Sequence, residues 1–224
     1  MDNTWPVARE GRPFIFVPLG VAFLSALTGG WWLAAIFGAF GLFSAWFFRD
    51  PDRRAPTGEG VLSPADGTVI LAEPVEANRF LPGRTVKISV FMSLFNVHVN
   101  RAPLTGRVDK IEYHPGRFFS ANLDKASAEN EHNALIIETE DRTKIAVIQI
   151  AGLIARRIAC WVKPGDALTR GQRFGLIRFG SRLDVYLPPE AVIKVRPGQK
   201  VKAGWSVLAL LAPEKSQAPG MGVY

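Results

Sequence analysis

At 224 residues the chain can hold one well-cored domain plus an appendage, and its hydrophobic fraction of 48% is inflated by a single N-terminal run. A lone cysteine, Cys160, excludes an intrachain disulfide and fits a reducing compartment, and three scattered histidines offer no ligand spacing, so no metal site is expected. The formal net charge of +7 falls wholly on residues 49 to 224 and favours an anionic partner; with the basic residues scattered and no recognition motif framing them, nucleic acid is the weakest candidate.

Residues 13 to 48 carry no charge. The run is too long for a signal-peptide core and lacks a small-residue cleavage site, so it is expected to stay in the protein. Thr28-Gly29-Gly30 interrupts it, predicting helices over residues 14 to 28 and 31 to 48 that reach roughly 22 and 27 Å against a hydrocarbon core of about 30 Å. Arg9 and Arg12 flank one end of this hairpin, and Arg49, Arg53 and Arg54 the other. A hairpin puts both basic flanks on one side of the cell membrane, the cytoplasmic side by the positive-inside rule. A single tilted helix or a re-entrant hairpin fits the same residues. The charged, proline-punctuated stretch 49–55 reads as a linker, dividing a membrane-associating segment, 1–48, from a globular domain, 56–224.

Beyond the linker come β-branched and aromatic runs at 67–71, 85–91, 96–99, 134–138, 144–150, 175–179 and 183–187, separated by Gly and Pro, which predict a mainly β domain. The polar stretch 122–131 reads as a loop or one short helix. An internal repeat, offset by 33 residues, lays the ten residues from Val162 to Gly171, opening Val162-Lys163-Pro164-Gly165, over the ten from Val195 to Gly204, opening Val195-Arg196-Pro197-Gly198. Each copy is a turn leading into an apolar strand, and the pair resembles the hammerhead turns of biotinyl/lipoyl-like barrel sandwiches. Ser63-Pro64-Ala65-Asp66-Gly67 looks like the opening of the same sandwich. The expected fold is therefore a mainly β barrel-sandwich catalytic domain behind an N-terminal hydrophobic helical hairpin.

Three residues far apart in the chain could supply a nucleophile, a base and an orienter: Ser181 after Gly180, His98 between two valines, and Asp66 before Gly67. Singly, each has a plain structural explanation as a loop, a packed strand residue or a turn. Jointly, they allow a backbone that cuts itself. Glycine at 180 leaves its carbonyl unhindered for attack by the Ser181 hydroxyl, His98 takes the proton, and Asp66 fixes the imidazole tautomer and stabilises the imidazolium.

In order and setting, Asp66 in Ser-Pro-Ala-Asp-Gly, Val97-His98-Val99-Asn100-Arg101-Ala102-Pro103 and Ile177-Arg178-Phe179-Gly180-Ser181-Arg182 resemble the phosphatidylserine decarboxylase family, in its short, bacterial/archaeal-type proenzyme form. The resemblance spans about residues 49 to 212. Phe179 and Arg182 flank a Gly-Ser that longer members embed in Gly-Gly-Ser-Thr or Leu-Gly-Ser-Thr; Phe95 stands where longer members have a second histidine, and His132 where an arginine is usual. The resemblance implies decarboxylation of phosphatidylserine to phosphatidylethanolamine by a pyruvoyl group made from Ser181, with no separate cofactor. Self-cleavage would give chains of residues 1–180 and 181–224 that remain together as a heterodimer. Arg101, Arg117, Lys125 and Arg178 are candidates for the headgroup phosphate and carboxylate, with Phe118 and Phe119 near the acyl chains; a solvated basic face that only attracts anionic lipid explains the same cations. Two other readings stand beside this one. A non-enzymatic membrane-anchored adaptor built on the sandwich would leave Asp66, His98 and Ser181 idle, and a pyruvoyl decarboxylase of a soluble amino acid would have no need of the apolar run.

Overall fold

The computed structural model describes residues 5–116, 129–152, 157–178 and 180–211. The apolar run forms two antiparallel helices, α1 (Arg12–Leu27) and α2 (Trp31–Phe47). Pro13 sits in the first turn of α1, where a missing N–H breaks no hydrogen bond. The Thr28 hydroxyl bonds the Ser25 carbonyl at 3.1 Å, which closes α1 before the turn. The segment Arg9–Leu27 is long and apolar enough to cross a membrane by length and composition, and Trp31–Phe47 falls just short. Away from their root the two helices leave large apolar side chains uncovered, with Trp32 85% exposed.

The rest is mainly β: β1 (Val61–Leu62), β2 (Gly67–Val75), β3 (Thr85–Met92), β4 (Val99–Arg101), β5 (Gly106–His114), β6 (His132–Glu138), β7 (Lys144–Ala151), β8 (Ile158–Cys160), β9 (Ala167–Leu168), β10 (Arg173–Ile177), β11 (Ser181–Leu187), β12 (Val192–Ile193), β13 (Lys200–Val201) and β14 (Val207–Leu210). Eight strands form one curled antiparallel sheet in the order β13-β2-β3-β11-β7-β6-β5-β9, and two three-stranded sheets, β1-β14-β12 and β4-β10-β8, complete the domain. Strand alternation sends Ile88, Val90, Leu135, Val147, Leu183 and Val185 to the main core, while Ala134, Ile136, Ile148, Ile150 and Tyr186 pack on the other face under Leu81.

The large sheet is internally symmetric about the β11–β7 pair. Gly198 N–H bonds Val69 O at 2.8 Å in one half and Gly165 N–H bonds Val108 O at 2.7 Å in the other; Gly204 N–H to Ser63 O and Gly171 N–H to Ala102 O match at 2.8 Å each. Both copies of the repeat thus occupy equivalent turns. Gly165 and Gly198, at φ of 92° and 88°, take the left-handed backbone that such a turn requires and that side chains resist.

The segment 49–55 is packed against the β domain. Asp50, 2% exposed, accepts a bond from Arg173 Nε at 2.8 Å and lies 3.6 Å from Arg101 Nη2, while Arg101 donates to Pro51 O and Gly171 O at 2.9 and 3.0 Å. The strand-like contact before α1 joins the same knot: Ala8 N–H bonds Phe48 O at 2.8 Å, and Asp50 N–H bonds Pro6 O at 2.7 Å. What reads in sequence as a tether is a strap holding the helix pair to the sheets. Removing the Asp50 charge strands two buried guanidinium groups, so Asp50→Asn should cost about 3 kcal/mol in chemical or thermal unfolding of the detergent-solubilised chain. Asp52→Asn, whose side chain is 89% exposed, should change stability by less than about 0.5 kcal/mol.

Candidate active site

Gly180 lies just before β11 with φ of 66°, and a side chain there would meet nothing within 4 Å. The carbonyl carbon ahead of Ser181 is therefore borne by a residue whose backbone form favours glycine. Ser181 opens β11 and pairs with Met92 of β3 on one side and Ala151 of β7 on the other. It is fully buried, and its Oγ makes no hydrogen bond. Alternation turns Ser181 toward the core with Leu183 and Val185, and turns Arg182 to the opposite face. There Arg182 donates to Asp184 at 2.6 and 3.0 Å and to Ser89 Oγ at 3.1 Å, and Lys87 reaches Asp184 at 3.2 Å. One residue past the Gly-Ser pair, β11 is clamped to β3 by buried charge.

His98 is also fully buried, and neither ring nitrogen has a hydrogen-bond partner of good geometry. Burial pushes its pKa down to about 4, helped by the charge of Arg49 and opposed by the backbone of Asn96 and the charge of Asp66. The imidazole is neutral at pH 7. Its carbonyl accepts Ile177 N–H at 3.4 Å, which ties His98 to the end of β10, the strand that leads into Gly180 and Ser181. No hydrogen bond joins His98 to Ser181.

Asp66 is held elsewhere. Its carboxylate takes a bidentate pair from Arg53 at 2.5 and 2.9 Å and the Ala203 N–H at 2.8 Å. It makes no hydrogen bond to His98 and acts on it only through its charge, so the expected orienting contact is absent from this geometry. Asp66 forms one wall of a cleft of about 350 Å³, shared with Ser93, Phe95, Asn96, Lys200 and Lys202.

The other candidates separate. Arg101 is 4% exposed with its guanidinium bonded into the strap, and burial lowers its pKa to about 10; it is a structural post in this arrangement. Arg178 is half-buried, with its guanidinium 5.3 Å from the Phe14 ring centroid. Arg117, Phe118, Phe119, Lys125 and most of the 122–131 stretch lie outside the described residues, as does Phe179. His132 pairs with Ile150, itself opposite Arg182, and so faces away from Ser181. It accepts from Arg79 at 2.6 Å through Nε2 if Nδ1, 2.7 Å from Asn130 O, carries the proton. Burial raises the Cys160 thiol above its ordinary pKa and leaves it a poor nucleophile.

Sequence reasoning passed over a chain of buried amides on the Ser181 face: Asn133 donates to Gln149 at 3.0 Å, Gln149 to Asn100 at 2.8 Å, and Asn100 reaches the sulfur of Met92, the partner of Ser181, at 3.8 Å. The signal was available. Asn133 and Gln149 are buried amides beside the apolar stretches 134–137 and 145–148, where an unpaired polar group is costly.

The family model described as phosphatidylserine decarboxylase matches residues 40–209. A phosphatidylserine decarboxylase proenzyme from Syntrophus aciditrophicus is 52% identical over 205 residues, covering 90% of this chain and 96% of that protein. Proenzymes of the same description from Geobacter metallireducens and Desulfotalea psychrophila are 50% and 48% identical, over 94% and 91% of this chain and 99% and 95% of their own lengths. The matched span holds Asp66, His98, Gly180 and Ser181 in one fold, and with relatives of this identity aligned almost end to end, the chain belongs to the phosphatidylserine decarboxylase family.

Proposed function

We propose that the chain is a proenzyme that cuts itself between Gly180 and Ser181 and then decarboxylates phosphatidylserine to phosphatidylethanolamine at a membrane surface. The observation that carries the reading is that the Ser181 hydroxyl and a neutral His98, tied to the two ends of the β10–β11 connection, are both buried without a well-formed hydrogen bond beside a left-handed Gly180. Buried polar groups without partners are rare and costly, and they concentrate where chemistry requires them.

Neutral His98 takes the Oγ proton as Ser181 attacks the Gly180 carbonyl carbon; the C–N bond breaks, leaving an ester at Oγ and a free amine at 181. Loss of the Ser181 Cα proton expels Gly180 as a carboxylate and leaves dehydroalanine, and one water then releases ammonia. Met92, whose sulfur the Asn100 amide reaches, and Ala151 flank position 181 and would hold the product there. When formed, a pyruvoyl group supplies an electrophilic carbonyl for the substrate amine and a sink for the electrons left by departing carbon dioxide. His98 is the group best placed to move a proton at the decarboxylated carbon. Asp66 supports it through charge and by anchoring the 63–67 turn to Arg53 and Ala203.

The small chain would contribute β11 to β14, of which β11, β13 and β14 are bonded to strands of the large chain, so the product would be a heterodimer without a covalent link. The internal repeat and its matched turns favour a biotinyl/lipoyl-like barrel sandwich, with 1–48 as the membrane unit and 56–224 as the catalytic unit. Membrane docking is favoured by the uncovered helix aromatics and by Phe95, 70% exposed and 5.9 Å from the Trp46 ring, and the cytoplasmic side by the basic flanks of the helix pair. Arg178, Lys200 and Lys202, with Arg117 and Lys125, are the cations for the headgroup. An adaptor with no chemistry would carry the cost of both buried orphan groups to no purpose.

Denaturing mass spectrometry of the purified protein should give two fragments, the smaller tagged by a carbonyl-reactive reagent; a preparation active on phosphatidylserine vesicles that remains one chain overturns the proposal. Ser181→Ala should stay uncut, and His98→Ala should slow cutting by about a hundredfold or more. The base works in its neutral form, so the scission rate should rise with pH through about 4 to 5 and be flat by pH 7. A rise centred near 6.5 or higher, measured by quench-gel kinetics, would contradict a buried His98 base.

A further inference from the structure

The root of the helix pair touches the proposed base. Phe47, the last residue of α2, is fully buried, and its ring centroid lies 4.2 Å from that of the His98 imidazole, with 33° between the planes. We infer that Phe47 is a positioning residue: it holds the His98 ring fixed and dry, so that the base is in place only when the hydrophobic helix pair is seated on the β domain. This rests on the reading of His98 as the base.

A catalytic histidine is ordinarily oriented by a carboxylate or carbonyl on its far nitrogen. Here Asp66 is committed to Arg53 and Ala203, and neither imidazole nitrogen makes a hydrogen bond of good geometry, the Asn96 backbone being the polar group that acts on the ring, so packing carries much of the orientation. The packing that reaches it is aromatic and continuous. Phe14 of α1 stacks on Phe48 at 5.6 Å, Phe48 meets Phe47 edge-on at 4.9 Å, and Phe47 lies on His98. Ala8, Val97, Val99 and Leu176 close the same cluster, bringing together the segment before α1, the His98 segment and β10. Neither helix can shift without moving that column of rings.

The electrostatic consequence has a definite sign. The charged groups acting on His98 are Arg49 from the strap, which favours the neutral ring, and Asp66 from the 63–67 turn, which with the backbone of Asn96 favours the charged one; exclusion of water outweighs all three. Phe47 supplies part of that exclusion. Shortening it admits water and returns the imidazole toward its ordinary value of about 6.5.

The test uses the full chain in detergent. In the uncut Ser181→Ala background, imidazole nitrogen NMR should find the His98 midpoint raised by about one pH unit or more in Phe47→Ala, with His132, on the opposite sheet face, unmoved. In the chain able to cut, Phe47→Ala should slow scission at pH 7 by about tenfold and move its acid limb upward by the same shift. Should Phe47→Ala fail to fold, Phe47→Leu, which keeps the seat apolar but loses the ring, supplies the same two readouts. A folded ring-less variant with an unchanged His98 midpoint and a rate within about twofold of its parent overturns the inference. His98→Ala is the separate control: full-rate cutting by that variant would sink the base assignment itself, whatever Phe47 does.

Discussion

Everything about this molecule turns on β11 being hydrogen-bonded along both edges. Ser181 to Tyr186 each face one residue of β3 and one of β7, at the centre of the eight-stranded sheet. Breaking the peptide at the head of such a strand releases none of those bonds. The new terminus would be retained by two ladders, by the Leu183 and Val185 side chains in the core, and by the Arg182–Asp184–Ser89 clamp on the reverse face. A Gly-Ser pair at an exposed loop tip would free its ends on cutting; placed here, position 181 would be held by its neighbours after a cut as it is before.

The same burial sets the chemistry. A hydroxyl and an imidazole out of reach of water, neither with a well-formed hydrogen bond, lose the solvation that would blunt them, and burial favours the neutral imidazole. That dryness is assembled from distant parts of the chain: Phe47 from the apolar run, Val97 and Val99 beside the histidine itself, and Leu176 from the strand preceding the Gly-Ser pair. The strap makes this possible. Asp50 holds Arg173 and Arg101, and Arg53 holds Asp66, so the connector between helices and sheets is itself part of the wall around the site.

Much of the fold was legible because the centres of β6 and β7 are buried on both faces and read as apolar runs, because β3 and the 183–187 part of β11 are rich in β-branched and aromatic residues, and because the helix pair is broken by a clear Gly-Gly turn. β5 was not, since Arg107, Asp109, Lys110 and Glu112 give a largely exposed strand the look of a loop. The strand expected over 96–99 begins only at Val99, because the Asn96 side chain accepts bonds from Ser93 N–H and Oγ at 2.9 and 2.8 Å and bends the chain there. At the site, Gly180-Ser181 and His98 could be picked out as motifs. The commitment of Asp66 to Arg53 could not, nor could the burial of Arg101, because both depend on where a segment that reads as a solvated linker comes to rest. Phe47 was invisible for the opposite reason: at the end of an apolar run it looks like every other residue of that run.

The internal symmetry separates scaffold from chemistry. The two halves share backbone bonds, turn glycines and even a cleft: about 350 Å³ beside Asp66 in one, and about 440 Å³ beside Thr105 in the other. In corresponding positions Lys200 and Lys202 give way to Ala167 and Thr169, and Glu138 and Glu140 make the second cleft acidic. A duplicated backbone therefore carries the more basic cleft in one half only, on the side where Phe95 meets Trp46 of the helix pair. The fold supplies the backbone twice over, and the halves differ in side chains and in which of them the helices rest on, so any chemistry would have to be read from those differences and not from the shared scaffold.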